Sequence, residues 1–407
     1  MKTFAYTKES LEDFLTQKDC LLYGVNNLRE QEEAISLLHE KVKYGSQPFS
    51  FSVFQKNGRE MCKPSDIQTA ILVKKVNHDF ARLTKSRVQS RGEIIWALRA
   101  LCAEGQAMTL IRLDIKKFFQ SVNTDELQEC AAQGVKSTYA LRRIIEQYLD
   151  WARDNVRGVP TGISLSSSLT EYYLKERLDC DALATPGVHF YRRYVDDIIM
   201  VCSPDFKPGH YVQEMQRLLP DGLTLNNDRE KKSILKLHHP RDEGSFNYLG
   251  YNFKVGAKVN SRNASSRVVT LDIAPSKVKA RKIRFVKTLL QFLRDGREDD
   301  LRRRFLLLNS GYTFWDPSRG REMSAGLCNS YSEIDNPSES LKSLQGFYRS
   351  CMLNPNFQLY HRIRLSHLSK ATRRMIVSFD LERHFFERKH FRFSSEELQH
   401  LSSCWKT

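Results

Sequence analysis

The stretch RYVDDIIMV, Arg193–Val201, places two adjacent carboxylates between apolar segments. Its apolar run Ile198–Val201 predicts a strand, and Tyr194-Val195 predicts the strand that enters the turn. Two acids inside an apolar hairpin are costly to bury unless a cation neutralises them. Mg²⁺ meets this need, because hard cations prefer oxygen ligands. The alternative is a solvated Asp-Asp turn, which the dipeptide alone favours.

A second apolar segment also carries an acid at its end. The segment Leu110–Ile115 contains Asp114, which precedes Asp196 by 82 residues. A two-metal site for phosphoryl transfer needs carboxylates from separate strands, which hold two cations about 4 Å apart. We therefore predict that Asp114 and Asp196 bridge two metal ions and that Asp197 is a weaker or outer ligand.

Five segments in this order resemble the sequence boxes of reverse transcriptases. They correspond to the first metal box, the template and nucleotide box, the catalytic box, the lysine-bearing box and the primer grip. In this chain they are DIKKFF (Asp114–Phe119), GVPTGISLSS (Gly158–Ser167), YVDD (Tyr194–Asp197), LN with KKS (Leu225-Asn226 and Lys231–Ser233) and FNYLGY (Phe246–Tyr251). The resemblance therefore covers residues 110 to 251.

The resemblance implies a set of site residues. The catalytic residues are Asp114, Asp196 and Asp197, and two Mg²⁺ ions are held by Asp114, Ile115, Asp196 and Asp197. Nucleotide-binding residues are Arg87, Arg91, Phe119, Pro160, Thr161, Gly162 and Lys232, and the primer grip is Tyr248, Leu249 and Gly250. The ring of Phe119 would exclude a 2′-hydroxyl and so select deoxynucleotides.

Two of these assignments leave alternatives open. Arg87 and Arg91, with Arg91 preferred, suit bidentate binding of phosphate, but a solvated basic loop explains them equally well. The lysine of the box after the catalytic hairpin is either Lys231 or Lys232, since sequence does not settle the register.

The chain of 407 residues carries a formal net charge of +16. This excess suits a polyanionic partner such as nucleic acid. A basic helix beginning near Pro275 has the predicted apolar face Val278, Ile283, Val286, Leu290 and Leu293. Its basic residues, among them Lys277, Arg281 and Arg284, would contact the nucleic-acid backbone, as would Arg302-Arg303-Arg304. The alternative is a solvated charged helix.

The predicted fold is α+β, a right-hand polymerase with fingers, palm, an α-helical thumb and a C-terminal helical extension. Residues 1–105 would form N-terminal helices and fingers, with a hairpin at Asn57-Gly58. Residues 106–274 would form the palm, with strands at Gly222–Asn226 and Tyr248–Tyr251. Residues 275–407 would form the thumb and extension, with a helical tail from 306. Isolated cysteines and the lack of a long apolar run predict a cytoplasmic protein without membrane contact.

The predicted function is DNA synthesis from deoxynucleoside triphosphates on an RNA template. Within the family, the chain resembles the bacterial defence-associated group, also called the unknown or abortive-infection group. That resemblance implies a dedicated non-coding RNA as template, a DNA product and a role against phage. A partner protein or a homo-oligomer is compatible with it.

Three alternatives remain at this point. The same site could make DNA without a template or prime from a protein hydroxyl. The chain could be a non-catalytic RNA-binding protein on this fold, although all three acids are present. It could also be an intron or retron enzyme, although we recognise no maturase-type or retron-specific extension.

Overall fold

The structure is a computed structural model that describes residues 5–56, 58–86, 89–136, 138–228, 231–260, 265–316 and 321–405. The chain divides into two units. The first unit consists of Met1–Ile94 and Gln106–His239, and the second of Ile95–Gly105 and Pro240–Thr407. Each unit contains both helices and sheets, so the predicted α+β class is confirmed. The division into three domains stays a prediction.

The first unit contains most of the segments singled out in the sequence. Its strands are β1 (Phe51–Lys56), β2 (Arg59–Pro64), β3 (Met108–Asp114), β4 (Val188–Tyr194), β5 (Asp197–Cys202) and β6 (Ser233–Leu237). Its helices are α1 (Lys8–Glu12), α2 (Gln17–Tyr23), α3 (Leu28–Tyr44), α4 (Ile67–Thr84), α5 (Arg91–Ala103, which continues into the second unit), α6 (Phe118–Ser121), α7 (Thr124–Gly134), α8 (Tyr139–Asn155), α9 (Ser164–Leu174), α10 (Cys180–Ala184) and α11 (Pro208–Leu218). A π-helix, Lys175–Asp179, joins α9 to α10.

A four-stranded sheet with the order β4-β5-β3-β6 lies at the centre of the first unit. Its strands pair antiparallel, and the apolar residues of β3 and β5 are buried. Continuous apolar runs suit strands covered on both faces, which explains why these segments do not alternate with polar residues. The register pairs Asp114 with Asp197 and Tyr194 with Asp197. The acids predicted from the sequence therefore lie at one end of neighbouring strands.

The predicted hairpin before the long helix α4 is confirmed. Strands β1 and β2 pair antiparallel, with Lys56 opposite Arg59, and Gly58 has a φ of 71°. The Asp66 carboxylate then caps α4 by accepting from the Thr69 amide at 2.7 Å. This cap satisfies an otherwise orphaned donor of the first turn and fixes where the helix begins.

The prediction of a strand at Gly222–Asn226 is wrong. The segment makes only an isolated bridge, Leu225 to Ile115. It still runs beside the end of β3, because the Asn226 amide donates to the Asp114 carbonyl at 2.7 Å and the Lys116 amide donates to the Thr224 carbonyl at 2.8 Å. These hydrogen bonds do not extend into a ladder, but they suffice to place this segment next to Asp114.

The second unit combines two further sheets with a helical layer. Its strands are β7 (Gly244–Tyr248), β8 (Tyr251–Asn260), β9 (Ser265–Ile273), β10 (Gly311–Asp316), β11 (Arg321–Gly326) and β12 (His390–Arg392). Its helices after α5 are α12 (Pro275–Asp295), α13 (Glu298–Asn309), α14 (Leu327–Ser330), α15 (Glu339–Leu353), α16 (Tyr360–Leu365), α17 (Lys370–Ser378), α18 (Leu381–Phe386) and α19 (Ser395–Ser402), followed by the 3₁₀-helix Ser403–Trp405.

The tail from residue 306 is not entirely helical, which corrects the predicted helical thumb and extension. Strands β11, β10 and β12 form a sheet in that order. Strand β10 pairs antiparallel with β11 and parallel with β12, where Tyr312 lies opposite Phe391. Aromatic and β-branched residues such as Tyr312, Thr313 and Phe314 favour a strand, and this signal outweighs the helical spacing of the surrounding residues.

Helix α12 buries a different face from the one predicted. Its buried residues are Val278, Phe285, Thr288, Leu289 and Phe292, whereas the side chain of Ile283 is 49% exposed. The buried positions recur at spacings of three, four and seven, which is the period of a single helical stripe. Arg281 lies three residues after Val278 and four before Phe285, so the stripe includes it.

Candidate active site

The turn between β4 and β5 presents the first carboxylate of the site. Val195 and Asp196 form the two-residue loop, since Tyr194 and Asp197 are the last paired residues of the hairpin. Val195 has a φ of 59°, which a β-branched residue adopts rarely. The Asp196 carbonyl accepts from the Ile115 amide at 3.0 Å, which links the turn to the end of β3. Asp196 is thereby held next to Asp114.

Asp114 is the most buried carboxylate of the site. It is 3% exposed, and its Oδ1 accepts from the Lys231 ammonium at 2.7 Å. Its Oδ2 accepts from the Asn226 side-chain amide at 3.3 Å. The irregular segment beside β3 thus supplies both side-chain partners, which the sequence could associate with Asp114 only through the order of the boxes.

The charges of the three aspartates are unequally balanced. Asp197 accepts from Nη2 of Arg112 at 2.7 Å and from Nε at 3.2 Å. The pKa of Asp196, by contrast, is raised to about 6, first by burial and then by the negative charges of Asp114 and Asp197. Crowded carboxylates of this kind disfavour ionisation unless a cation is present.

This imbalance fits a divalent cation between Asp114 and Asp196. Among the described residues, no three His, Cys, Asp or Glu side chains converge on one point. Mg²⁺ does not require such a cage, because it is usually held by one or two carboxylates together with substrate phosphates and water. Both aspartates line the same cavity, as does Ile115, whereas Asp197 faces Arg112 and does not line it. Of the three predicted catalytic aspartates, Asp114 and Asp196 are therefore the two that face the cavity.

The cavity in front of the two aspartates has a volume of about 1320 Å³. In the part of the chain that the structure describes, its wall carries five cationic side chains, Arg59, Lys116, Lys117, Arg157 and Lys231, and two further acids, Glu60 and Asp228. Cationic groups around two carboxylates suit a triphosphate, whose oxygens accept from Arg and Lys while metals bridge to the acids. Arg59 and Arg157 were not predicted as nucleotide contacts. The Asn-Gly turn before Arg59 and the box glycine after Arg157 are the sequence features that could have indicated them.

Phe119 lines this cavity, while the neighbouring Phe118 is buried in the core. The backbone of Phe119 is fixed by Gly158 and Val159. The Val159 amide donates to the Phe119 carbonyl at 2.9 Å, and a Cβ on Gly158 would lie 2.2 Å from that carbonyl oxygen. With a φ of 64°, Gly158 is required for both its conformation and this close approach.

The template box is tied to the walls of the cavity through its backbone. The Thr161 carbonyl accepts from the Cys62 amide at 2.8 Å, and Thr161 lines the cavity. The carbonyl of the buried Pro160 accepts from the Ser166 hydroxyl at 2.7 Å, and Ser166 in turn contacts the Tyr148 hydroxyl. Gly162, with a φ of 96°, completes the turn. The box is therefore rigidly attached, as a surface that positions a ligand requires.

The two lysines of the box after the catalytic hairpin differ in position. Lys231 contacts Asp114 and lines the cavity, whereas Lys232 does not line it. Arg91 opens α5 and does not line the cavity either. Arg87 lies outside the described residues. The predicted nucleotide residues that the structure brings to the cavity are thus Phe119 and Thr161, joined by Lys231.

The predicted nucleic-acid contacts in the second unit have mixed outcomes. The predicted strand over Tyr248–Tyr251 is interrupted by a hairpin turn. Tyr248 ends β7, Tyr251 begins β8, and Leu249 and Gly250 between them have φ values of 46° and 81°. Lys277 and Arg284 are exposed on α12. Arg281, however, donates to the Leu308 carbonyl, and burial lowers its pKa. Its side chain therefore has a partner within the second unit, and its assignment as a phosphate contact stays a prediction.

The three arginines of the run Arg302-Arg303-Arg304 all pair with acids of the second unit. Arg302 pairs with Glu298 at 3.0 Å, Arg303 with Glu397 at 2.7 Å, and Arg304 with Asp300 at 3.3 Å. Only Arg304 is buried, at 2% exposure, so Arg304 is the member of this run that is withdrawn from solvent, and a phosphate contact by Arg302 or Arg303 stays a prediction.

Substituting Asp196 with asparagine should stabilise the metal-free protein at neutral pH by about 2 kcal/mol, a value reduced for partial exposure. A carboxyl whose pKa is raised in the folded state, here from 3.8 to about 6, costs stability once it ionises. The gain should be complete above pH 6, shrink as the pH falls and vanish below 3.8. Urea unfolding in EDTA measures it, with Asp181→Asn as an exposed control. Equal stability of the two proteins at pH 7.5 would contradict the proposed repulsion.

Residues 62–253 match the family described as "Reverse transcriptase (RNA-dependent DNA polymerase)". Solved structures similar to the chain include the apo telomerase of Candida tropicalis truncated from its C-terminal domain, with a TM-score of 0.38, 16% identity and coverage of 51% of this chain and 53% of that one. The telomerase of Candida albicans in complex with a TWJ fragment of telomeric RNA has a TM-score of 0.39, 13% identity and coverage of 63% and 52%. The chain thus spans about half the length of these proteins. No curated protein matches it.

Proposed function

We propose, from the match of residues 62–253 to the reverse transcriptase family, that the protein is an RNA-directed DNA polymerase that extends a primer with deoxynucleotides. The observation that carries the proposal is the placement of Asp114 and Asp196 at one end of neighbouring strands, facing a cavity with a cationic wall. This is the arrangement that nucleotidyl transfer to a primer hydroxyl requires.

Asp114, Asp196 and Ile115 are the residues that would hold two Mg²⁺ ions. When bound, the ions would favour ionisation of the attacking hydroxyl and neutralise charge on the phosphates. Asp197 supports the turn through Arg112. Arg59, Lys116, Lys117 and Arg157 would hold the triphosphate, and Thr161 with Phe119 would position the incoming sugar and base. Together these residues would align the α-phosphate with the primer end.

The direct test uses purified protein, a primed RNA of known sequence, Mg²⁺ and labelled deoxynucleotides. We expect DNA that is complementary to the RNA. A DNA product unrelated to the RNA would replace this proposal with template-independent synthesis, and a product linked to protein would indicate protein priming. RNA binding without any product, in Mg²⁺ and in Mn²⁺, would contradict the enzymatic function and favour a non-catalytic RNA-binding protein.

A more specific proposal is that the protein acts in bacterial defence and copies a dedicated non-coding RNA. It rests on the resemblance of the template box and the tail to the defence-associated group. A cytoplasmic location and a partner protein or homo-oligomer belong to the same proposal. Separately, no described helix is both long and apolar enough to cross a membrane. Sequencing RNA that copurifies with the protein and comparing phage plating on cells with wild-type or Asp196→Asn protein tests it. Mixed cellular RNA and equal plating would argue against it.

In the second unit, Lys277 and Arg284 are proposed contacts to the phosphate backbone, and Tyr248, Leu249 and Gly250 a proposed primer grip. Both cationic residues are exposed on α12, as such contacts require. Removing one cation that binds a phosphate should lower the slope of log affinity against log salt concentration by about one. An unchanged slope in the double variant Lys277→Ala, Arg284→Ala would remove these two residues from the proposal.

Replacing Phe119 with valine should relax selection against ribonucleotides by about tenfold to a hundredfold in kcat/KM. The phenyl ring lines the cavity, and its removal opens space for a 2′-hydroxyl. Single-nucleotide incorporation with paired ribo- and deoxynucleotides measures the ratio. The control is Phe118→Leu, which changes the buried neighbour. An unchanged ratio in Phe119→Val would show that another residue selects the sugar.

Replacing Lys231 with alanine should lower kcat by about a hundredfold, whereas Lys232→Ala should retain most activity. The reason is position, since Lys231 contacts Asp114 and lines the cavity and Lys232 does not line it. Single-turnover incorporation at saturating nucleotide distinguishes the two variants. A large loss in Lys232→Ala with little loss in Lys231→Ala would show that the other register operates during synthesis.

A further inference from the structure

A buried ionic network lies directly beneath the catalytic turn. Arg193 on β4 is 3% exposed and binds two carboxylates from a neighbouring helical segment. It donates to Glu171 at 2.8 and 3.2 Å and to Asp179 at 2.9 and 3.0 Å. Tyr191 also donates to Asp179, at 2.9 Å. The guanidinium is therefore clamped on two sides by the fork geometry that arginine alone provides.

The same guanidinium reaches the turn that carries Asp196. Its Nη1 donates to the Val195 carbonyl at 3.0 Å. The next carbonyl, that of Asp196, accepts from the Ile115 amide at 3.0 Å. Consecutive peptide groups of the turn are thus held from opposite sides, one by the Arg193 side chain and one by the backbone that follows β3. The orientation of the Asp196 carboxylate depends on these two peptide groups.

The turn needs this support because of its first residue. Hairpin loops of two residues favour glycine where φ is positive. Here the position is occupied by valine, with a φ of 59°. A strained residue of this kind persists only where its surroundings over-determine its conformation. The hydrogen bond from Arg193 is a contact that does so.

The π-helix supplies the second carboxylate of the clamp. Over eight residues a regular α-helix turns by about 800°, which would leave Asp179 about 80° from Glu171 around the axis. The wider π-helical turn at Lys175–Asp179 reduces this offset, so that both acids reach the same guanidinium. Single π-turns inside α-helices occur frequently at functional sites.

We infer that Arg193, clamped by Glu171 and Asp179, is a positioning residue that holds the strained Val195 peptide and thereby aims Asp196 at the metal and the reacting phosphate. The inference rests on the proposed polymerase function and assigns the aiming of its second carboxylate to residues outside the cavity. It also accounts for the presence of two partly buried carboxylates around one guanidinium, next to a site that is already acidic.

The test uses variants that keep the protein folded. Arg193→Met alone would leave two partly buried acids without their cation, so the main variant combines it with Glu171→Gln and Asp179→Asn, which removes the charges together. A second variant, Arg193→Lys, keeps the charge but cannot contact both acids and the carbonyl at once. Arg192→Met is the matched control, because Arg192 follows Tyr191 on the same strand and donates to the Tyr191 carbonyl instead.

We expect the triple variant to lose about thirtyfold in kcat, with KM for the nucleotide within about threefold, and Arg193→Lys to lose about tenfold. The affinity for Mn²⁺, measured by electron paramagnetic resonance without substrate, should fall by about tenfold in both. A last pair of proteins carries Val195→Gly, once alone and once together with the triple variant. Their kcat values should differ by less than about fivefold, because glycine adopts the turn without support from Arg193. Arg192→Met should behave like wild type in these measurements.

Wild-type kcat and Mn²⁺ affinity in either folded variant would overturn the inference and leave Arg193 with a purely structural role. The inference would also be overturned if the loss of kcat caused by the triple variant were equally large with Val195 and with glycine at that position. Absence of DNA synthesis by the wild-type protein would instead contradict the proposed function. In that case the Mn²⁺ measurement still decides the inference, with Asp196→Asn as the reference for abolished metal binding.

Discussion

The Asp196→Asn variant should lose at least about a thousandfold in the rate of nucleotide incorporation, which corresponds to about 4 kcal/mol of transition-state stabilisation. Asparagine keeps the size of the side chain but removes the charge that a bridging ligand of two cations needs. Its effect should exceed that of Asp197→Asn, because Asp197 is paired with Arg112 and does not line the cavity. Single-turnover extension of a primed RNA measures the three rates.

Two controls separate chemistry from folding in this experiment. Asp181→Asn changes an exposed acid on α10 and should retain full activity. The affinity of Asp196→Asn for primed RNA in EDTA should stay within about threefold of wild type, since phosphate contacts come from cationic residues elsewhere. Incorporation by Asp196→Asn at more than about a tenth of the wild-type rate would show that the catalytic metals are held by other groups.

Replacing Arg304 with methionine should destabilise the second unit by about 3–5 kcal/mol. Arg304 is 2% exposed and lies in α13. It donates to Asp300 at 3.3 Å and to the Leu401 carbonyl at 3.2 Å. Its removal takes the guanidinium away from both acceptors and leaves Asp300 with His400 and the Leu401 carbonyl with the weak Cys404 thiol donor. Urea unfolding, followed by circular dichroism and by tryptophan fluorescence, measures the loss.

The matched control is Arg294→Met, which removes an exposed arginine from α12 and should change stability by less than about 0.5 kcal/mol. The two variants also test whether Arg304 contacts nucleic acid or stabilises the fold. If Arg304 were a surface contact to nucleic acid, Arg304→Met would weaken RNA binding and leave unfolding unchanged. We expect instead that Arg304→Met lowers the free energy of unfolding and leaves RNA binding by the folded protein unchanged.

These corrections show which parts of the site depend on local sequence. Asp114 and Asp196 could be predicted because each lies beside an apolar run long enough to form a buried strand, and because strand ends at one edge of a sheet converge. The hairpin before α4 could be predicted from Asn-Gly, since that dipeptide tolerates the positive φ of the turn. Gly158 belonged to a recognisable box, although its close approach to Phe119 appeared only in the structure.

The partner of a charged residue, by contrast, cannot be read from the sequence around it. Lys277 and Arg281 look alike in a basic run, but helical phase places Arg281 on the buried stripe of α12 and Lys277 in solvent. The run Arg302-Arg303-Arg304 shows the same limit, because the acidic partners of this run include Glu397, which is distant in sequence. A guanidinium binds a carboxylate or a phosphate with the same geometry, so only its surroundings decide between them.

The sequence by itself determined the two carboxylates, their strands and the order of the boxes around them, because apolar periodicity and turn chemistry act over a few residues. Only the tertiary structure decided that Lys231 rather than Lys232 reaches Asp114, that Arg112 takes Asp197 out of the cavity, and that Arg193 supports the catalytic turn. These are long-range pairings between residues whose identities permit many partners. Burial and strand register select one partner for each, and neither is encoded in a single segment.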